Sequence, residues 1–338
     1  MSHVASSTVS GDALTVRWAD SHVSVFSLAW LAANAYDAHA PLLAAQQTRA
    51  WTGVDLAGGL PAVQYADVMR DDRGLYPMLQ HLAATGVVVV NGAPTRDGVV
   101  GPLAERIAYL QRTLYGATFH VKVVPNPHNA AYSATPLPLH IDLCYYESPP
   151  GLQFLHFIAT ECRGGANQFV DMRAAAERLR QRQPAAFATL LRSKFTFHFR
   201  DANNWMYYRR PLIAVDSETD AVVETYWSPP WRGPLRVPFD DVEATYDAVG
   251  HFDAIVNGDA DLHHTVRFDA GQVVVFNNRR IAHSRLPFES QDGVRHAEGT
   301  YVSLDEFCNR LRVLQARFEP DARNGGLLVG RQGNHSFK

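Results

Sequence analysis

Cysteine is scarce in this sequence: three residues in 338, Cys144, Cys162 and Cys308. An odd, sparse set provides no disulfide framework and fits a reducing compartment, so a cytoplasmic protein is expected. Long apolar runs are also missing. The longest, residues 86–90, falls far short of the roughly 20 residues that cross a bilayer. The N-terminus has no basic stretch followed by an apolar one, so neither a membrane span nor a secretory leader is expected. Charge of one sign does not dominate either. Thirty-one Lys and Arg stand against 34 Asp and Glu, for a net charge of −3, and no basic block occurs. That balance argues against nucleic acid and anionic membrane as partners. What remains, 46% apolar and 19% charged residues, describes a globular chain with a sizeable core. Its length suits one large domain with a small appendage.

Along the chain, residues before Asp12 are small and polar and read as a loose tail. Residues 13–18 and 23–26 alternate apolar with polar and read as a hairpin, followed by a helix at 28–36. A Gly-, Pro- and Asp-rich connector over 51–72 suggests a small N-terminal module at 12–60, a main domain at 61–320 and a flexible tail at 321–338. The main domain reads as a helix at 75–85, a buried β-branched strand at 86–90, a helix at 99–115 and a strand at 119–124. Many short extended segments follow, interrupted by helices near 172–182 and 242–256 and closed by one at 304–318. Strands without βαβ alternation argue against a doubly wound sheet. The expected class is α+β, mainly β: a double-stranded β-helix, or jelly-roll, core with flanking helices and the small N-terminal module.

Within 136–143, His140 and Asp142 stand two residues apart in an extended-looking run. On a strand, such side chains share a face, so an imidazole and a carboxylate converge on a point that suits a divalent metal. Two histidines and one carboxylate with open positions opposite is the ligand set of non-haem Fe(II) oxygenases. Alone, the pair reads equally as a structural contact, since His-x-Asp arises readily in a chain with 15 histidines. A second copy, His251-Phe252-Asp253, lies where apolar residues recur at helical spacing. There, positions two apart diverge by about 200° and cannot share a metal. His283, which follows the apolar run 272–276 and a polar turn, is the candidate third ligand. A strand leading out from it, a turn at 288–293 and a returning strand would bring Arg295 back toward the metal. A guanidinium binds a carboxylate through two parallel hydrogen bonds; the other reading of Arg295 is a surface ion pair.

Together, His140-x-Asp142, His283 and Arg295 resemble the Fe(II)/2-oxoglutarate dioxygenases related to taurine dioxygenase. Residues 139–156, 164–171 and 295–301 are similar to the γ-butyrobetaine dioxygenase branch, and the similarity runs from about Leu14 to Phe318. The resemblance implies Fe(II) on His140, Asp142 and His283, with 2-oxoglutarate and O2 as co-substrates. Arg295 would hold the distal carboxylate of 2-oxoglutarate. Asn167 stands where related enzymes often place Thr or Ser against that carboxylate, and Arg285 would support the site. The branch usually carries an N-terminal zinc held by three cysteines and a histidine. Here residues 20–26 resemble the segment that holds the histidine, but no cysteine precedes Cys144, and a lone His22 cannot build a tetrahedral site. No zinc is expected, and the module would rest on apolar contacts of Trp18, Phe26, Trp30 and Leu31.

The same resemblance implies an aromatic cage for a quaternary ammonium group. Tyr115 keeps a cage tyrosine, Phe119 stands where tryptophan is usual, Asn129 supplies a polar contact, and Tyr132 and Tyr301 complete the rings. A diffuse cation over an aromatic face gains roughly 0.5–2 kcal/mol. Taken one at a time, each ring also reads as core packing. Residues 225–233, with Trp227, Trp231 and Arg232, replace an asparagine-rich segment of the branch. They read either as closing over a different acidic head group or larger body, or as a surface loop, so γ-butyrobetaine itself is not the expected substrate. Three functions follow. The first is hydroxylation of an onium-bearing metabolite. The second is a biosynthetic 2-oxoglutarate oxygenase performing hydroxylation, desaturation or C–C cleavage on an unrelated small molecule. The third is a non-catalytic ligand-binding jelly-roll, against which the complete set His140, Asp142, His283 and Arg295 counts. The expected partner is a small molecule; a homodimer is left open.

Overall fold

Two β-branched runs, 87–90 and 273–275, are each buried on both faces, as central strands of covered sheets are. The computed structural model describes residues 3–33, 49–122, 136–217, 219–289 and 293–319. The tail expected at 321–338 lies outside the described residues. The chain divides into two units, Met1–Gln47 with Val313–Lys338, and Thr48–Arg312.

In the first unit, β1 (Val4–Ser10), β2 (Ala13–Trp18) and β3 (Val23–Ser27) form an antiparallel sheet, and α1 (Leu28–Ala33) follows. Residues before Asp12, expected as a loose tail, therefore form a strand. It is exposed throughout and held by the β2 ladder rather than by burial. The β1–β2 turn is two residues long, with Gly11 at φ +59°, the left-handed conformation that tight hairpins require. Phe26 and Trp30 stack at 6.1 Å, and Trp18 Nε1 donates to Ser24 Oγ.

The second unit begins with β4 (Ala62–Gln64), α2 (Tyr65–Arg70), α3 (Asp72–Thr85), β5 (Val87–Asn91), α4 (Val100–Glu105) and β6 (Thr118–Lys122). It continues through β7 (Leu137–His140), β8 (Leu152–Thr160), β9 (Asn167–Asp171), α5 (Met172–Arg182) and α6 (Pro184–Arg192). The hairpins β10 (Phe195–Arg200) with β11 (Trp205–Arg210) and β12 (Ile213–Val215) with β13 (Val222–Thr225) follow. Then come α7 (Val242–Gly258), β14 (His264–Val266), β15 (Val273–Asn277), β16 (Ile281–Arg285), β17 (Arg295–Val302) and α8 (Leu304–Phe318), which runs past the end of the unit. Among the described residues no helix is long and apolar enough to cross a membrane.

Two sheets carry the site. One has six strands in the order β4-β5-β15-β8-β17-β6, antiparallel except for β4 with β5; the other has four, β14-β9-β16-β7. Their inner faces share one core: Phe169 of β9 meets Phe276 of β15 edge-on at 5.6 Å, and Leu155, Phe157 and Ile281 join them. Three connections differ from the sequence expectation. The helix expected over 99–115 stops at Glu105, because the backbone N–H of Gln111 donates to the carbonyl of Tyr301 and draws the chain onto β17. Helix α6 was not foreseen, although Pro184 at its first position is a common helix start. The connector at 51–72 contains β4 and α2.

A buried ion pair closes one end of the four-stranded sheet. Arg280 Nη2 lies 2.7 Å from Asp171 Oδ2, with both side chains at most 3% exposed. The same carboxylate oxygen accepts from the Trp51 N–H, and Arg280 also donates to the carbonyls of Ala84 and Arg49. Every charge is thus met by hydrogen bonds, the condition under which a buried pair is tolerated.

Candidate active site

His140 ends β7, and His283 sits directly opposite it in the antiparallel ladder with β16. Their rings are 4.2 Å apart. Asp142 does not continue the strand, as the sequence pattern suggested; it lies in the turn just beyond, and its Oδ1 is 3.1 Å from His140 Nε2. The three side chains bring their ligand atoms within 4.8 Å of one another. The turn is fastened by Asn278, which is fully buried. Its Oδ1 accepts from the Asp142 N–H at 2.8 Å, and its Nδ2 donates to the carbonyls of Asp142 and Pro150. Leu143, the next residue, is held at φ +56°, a conformation uncommon for a bulky side chain and characteristic of over-determined sites.

Each of the three side chains has its outer atoms arranged. His140 Nδ1 is 2.8 Å from the carbonyl of Pro138, which fixes Nδ1 as a donor and turns Nε2 toward Asp142. Tyr301 donates its hydroxyl hydrogen to Asp142 Oδ2 at 2.8 Å. Burial raises the Asp142 carboxyl, but the hydrogen bond from His140 and the charges of His283 and His140 outweigh it. The group stays well below the usual carboxylate range. Burial, then the neighbouring His140, push His283 down to about 3. For His140, burial acts downward while the hydrogen bond and charge of Asp142 act upward, and the net shift is upward. An ionised carboxylate and a neutral imidazole are ready donors, and a metal entering here displaces the proton that His140 shares with Asp142. His283 Nδ1 is buried with no hydrogen-bond partner among the described residues. The donor set therefore fits Fe(II): nitrogen and oxygen ligands, one orphaned buried ring nitrogen and an open side.

The open side is a cleft enclosing about 820 Å³ of non-atom space, open solvent included, and walled by both sheets. Arg285 and Arg295 reach it from β16 and β17. Burial pushes each guanidinium down to about 10; the charge of Arg295 adds to this at Arg285, and the opposing influence of Cys162 is insufficient at Arg295. Arg295 has no carboxylate partner among the described residues, only the rings of Phe157 and Phe288 at 5.7 and 5.5 Å. The surface ion pair that the sequence left open is not found among the described residues. Asn167, across the ladder from Arg285, donates from Nδ2 to the carbonyl of Ser284 at 3.3 Å while its Oδ1 is unpaired.

Three of the expected cage rings form a row on one wall. Phe119 stacks on Tyr301 at 5.2 Å and meets Tyr115 at 6.0 Å. Gly299 makes this possible: a Cβ there would lie 2.4 Å from the Phe119 ring. Asn129 and Tyr132 lie outside the described residues. Trp227 does not face the cleft. It is 2% exposed, packed edge-on against Phe252, and its carbonyl accepts from the Ile141 N–H. The wall position belongs to Trp231, which meets Tyr145 and Phe199 edge-on. Sequence reasoning gave no role to Tyr145 or Asn278. An asparagine at the first turn after a β-branched run was the available signal for the second; for the first there was none beyond its proximity to Asp142.

With this geometry in view, the similarities to known proteins fall into place. Residues 50–301 match the model of the family described as taurine catabolism dioxygenase TauD, TfdA family. The chain is 35% identical over 303 residues to the γ-butyrobetaine dioxygenase of Pseudomonas sp. (strain AK-1), covering 89% of this chain and 78% of that protein. It is 28% identical over 319 residues to dioxygenase str8 of Strobilurus tenacellus, covering 90% and 75%. Among solved structures, a taurine dioxygenase from Burkholderia xenovorans superimposes with a TM-score of 0.54 at 18% identity, covering 72% of this chain and 87% of that one.

Proposed function

Since the chain belongs to the TauD/TfdA family and is an Fe(II)/2-oxoglutarate-dependent dioxygenase, we propose that it hydroxylates an unactivated C–H bond of a small onium-bearing metabolite. In this reading the two facing sheets are the halves of a jelly-roll core, and His140, Asp142 and His283 hold the iron. Arg295 takes the distal carboxylate of 2-oxoglutarate, with Arg285 and Asn167 beside it. The bound iron and 2-oxoglutarate supply oxidation by O2, with release of succinate and CO2.

The chain's own contribution is placement. A half-buried Arg295 without a carboxylate partner among the described residues is a cation waiting for an anion, and 2-oxoglutarate brings one. Tyr301 and Asn278 keep Asp142 turned toward the two histidines. The observation that carries the onium reading is the row Tyr115–Phe119–Tyr301 in a cleft whose only carboxylate, among the described residues, is Asp142. A quaternary ammonium has no N–H to donate, so ring faces hold it better than a salt bridge would. Phe119, a weaker ring than tryptophan, leaves space for an onium group of another shape. Trp231 and Tyr145 form a second apolar wall, and the match to dioxygenase str8 goes with it; both favour the alternative of an oxygenase for an unrelated small molecule.

A panel of trimethylammonium and dimethylsulfonium carboxylic acids, assayed by succinate release under saturating Fe(II) and 2-oxoglutarate, tests the proposal. Substrate-dependent succinate from at least one onium acid, lost in its neutral tert-butyl isostere, is the expected result. Turnover of the isostere at equal rate, or of no onium compound, would move the assignment to the alternative.

A further inference from the structure

We propose that Asp97, His120 and His296 form a second divalent-metal site, suited to zinc, on the face of the six-stranded sheet opposite the cleft. Strand alternation creates it. On β17, Arg295, Ala297 and Tyr301 face the cleft, so His296 and Glu298 face the other way. On β6, Phe119 and Val121 face the cleft and His120 faces away; on β8, Leu155 and Phe157 do so and His156 faces away. The ladder places Glu298 between His120 and His156. Asp97 arrives from the turn before α4, where the Gly98 N–H donates to Glu298 Oε2 at 2.8 Å.

The separations are those of a coordination shell. His120 Nδ1 and His296 Nε2 are 3.0 Å apart, and the same His296 Nε2 is 3.5 Å from Asp97 Oδ1. Bond lengths of about 2.0–2.1 Å in a tetrahedron put adjacent ligand atoms roughly 3.3 Å apart. All three atoms fall within 4.8 Å of one another. Ordinary hydrogen bonding serves this arrangement poorly. One ring nitrogen either carries a hydrogen or a lone pair, so His296 Nε2 meets both neighbours only by sharing a single hydrogen. A cation at the centre satisfies all three at once.

A separate observation points the same way. His156, opposite Glu298 in the ladder and on the same face of the sheet, is fully buried. Beyond a weak approach to the Pro94 carbonyl, neither of its ring nitrogens has a hydrogen-bond partner. At the site itself Asp97 and His120 are exposed and His296 is buried. The site draws on no residue of the N-terminal segment and no cysteine. A bound ion would pin β6, which carries Phe119, to β17, which carries Arg295 and Tyr301.

The test removes the iron site first. A His140→Ala/Asp142→Ala variant, dialysed against zinc and then metal-free buffer, is expected to retain about one zinc per chain by elemental analysis. Adding His120→Ala, an exposed substitution, should abolish retention, and Asp97→Asn should weaken it. Zinc should raise the melting temperature of the background variant by several degrees and leave that of the His120→Ala variant unchanged. Cobalt(II) in place of zinc should give visible absorption of four-coordinate intensity. A background variant that melts cooperatively but retains no zinc would overturn the proposal. So would unchanged zinc retention after His120→Ala and His296→Ala.

Discussion

Replacing Tyr301 with phenylalanine removes one oxygen and keeps the ring. That oxygen donates at 2.8 Å to Asp142 Oδ2, while the other carboxylate oxygen faces His140 Nε2 at 3.1 Å. A hydrogen bond to a charged acceptor is worth about 1.5–3 kcal/mol. With tenfold per 1.4 kcal/mol, the Kd for Fe(II) should rise by roughly 10- to 100-fold. Loss of groups that orient metal-bound carboxylates falls in the same range. The Asp142 side chain is 19% exposed, so water can partly replace the lost donor, and the lower half of the range is expected. The assay is an anaerobic Fe(II) titration with saturating 2-oxoglutarate, following the visible charge-transfer band of the complex. It is run beside a substrate titration at saturating iron. Because the Phe119 stack is untouched, the substrate KM should hold steady while iron affinity falls. Unchanged iron affinity with a raised substrate KM would refute the reasoning and assign the hydroxyl to the substrate.

Three further outcomes are expected. Arg295→Leu should raise the KM for 2-oxoglutarate about 30-fold or more, the effect of removing one side of a buried charge pair, with little change in iron binding measured without 2-oxoglutarate; succinate release and the iron titration check the two halves. Gly299→Ala should push the Phe119 ring from its seat, since the new Cβ would lie 2.4 Å from it. Overpacking of this kind costs about 1–3 kcal/mol, seen in thermal unfolding together with a raised substrate KM and an unchanged Fe(II) Kd. Asp171→Asn breaks the buried pair with Arg280 and should lower stability by about 3–5 kcal/mol in urea unfolding.

The parts of the site legible in the sequence are those fixed by short range. The approach of His140 to Asp142 was readable because the two side chains meet through local backbone, even though Asp142 leaves the strand. The decoy His251-Phe252-Asp253 was separable by periodicity alone: both polar residues lie exposed on α7, with Phe252 buried between them. Arg295 was readable because an antiparallel return keeps neighbours in sequence close in space. What sequence did not disclose depends on distant partners. Asn278 reaches back 136 residues to Asp142. The helix expected after Val99 yields to a bond between Gln111 and Tyr301, a tertiary contact overriding local preference. Trp227 and Trp231 have the same chemistry and similar neighbours in sequence. Contacts with distant elements, Phe252 on α7 among them, place the first in the core, while the second faces the cleft.

The two faces of β17 have a consequence for how the gene can vary. A one-residue deletion or insertion within Arg295–Val302 would exchange the faces of every residue beyond it. Glu298 would then point at the aromatic wall and Tyr301 away from Asp142. No conservative substitution could compensate, because the error is one of parity rather than chemistry. Length changes should therefore be tolerated at the turn before β17 and excluded from the strand itself. A library of single-codon deletions across 286–302, scored for iron binding, would show that boundary as a step.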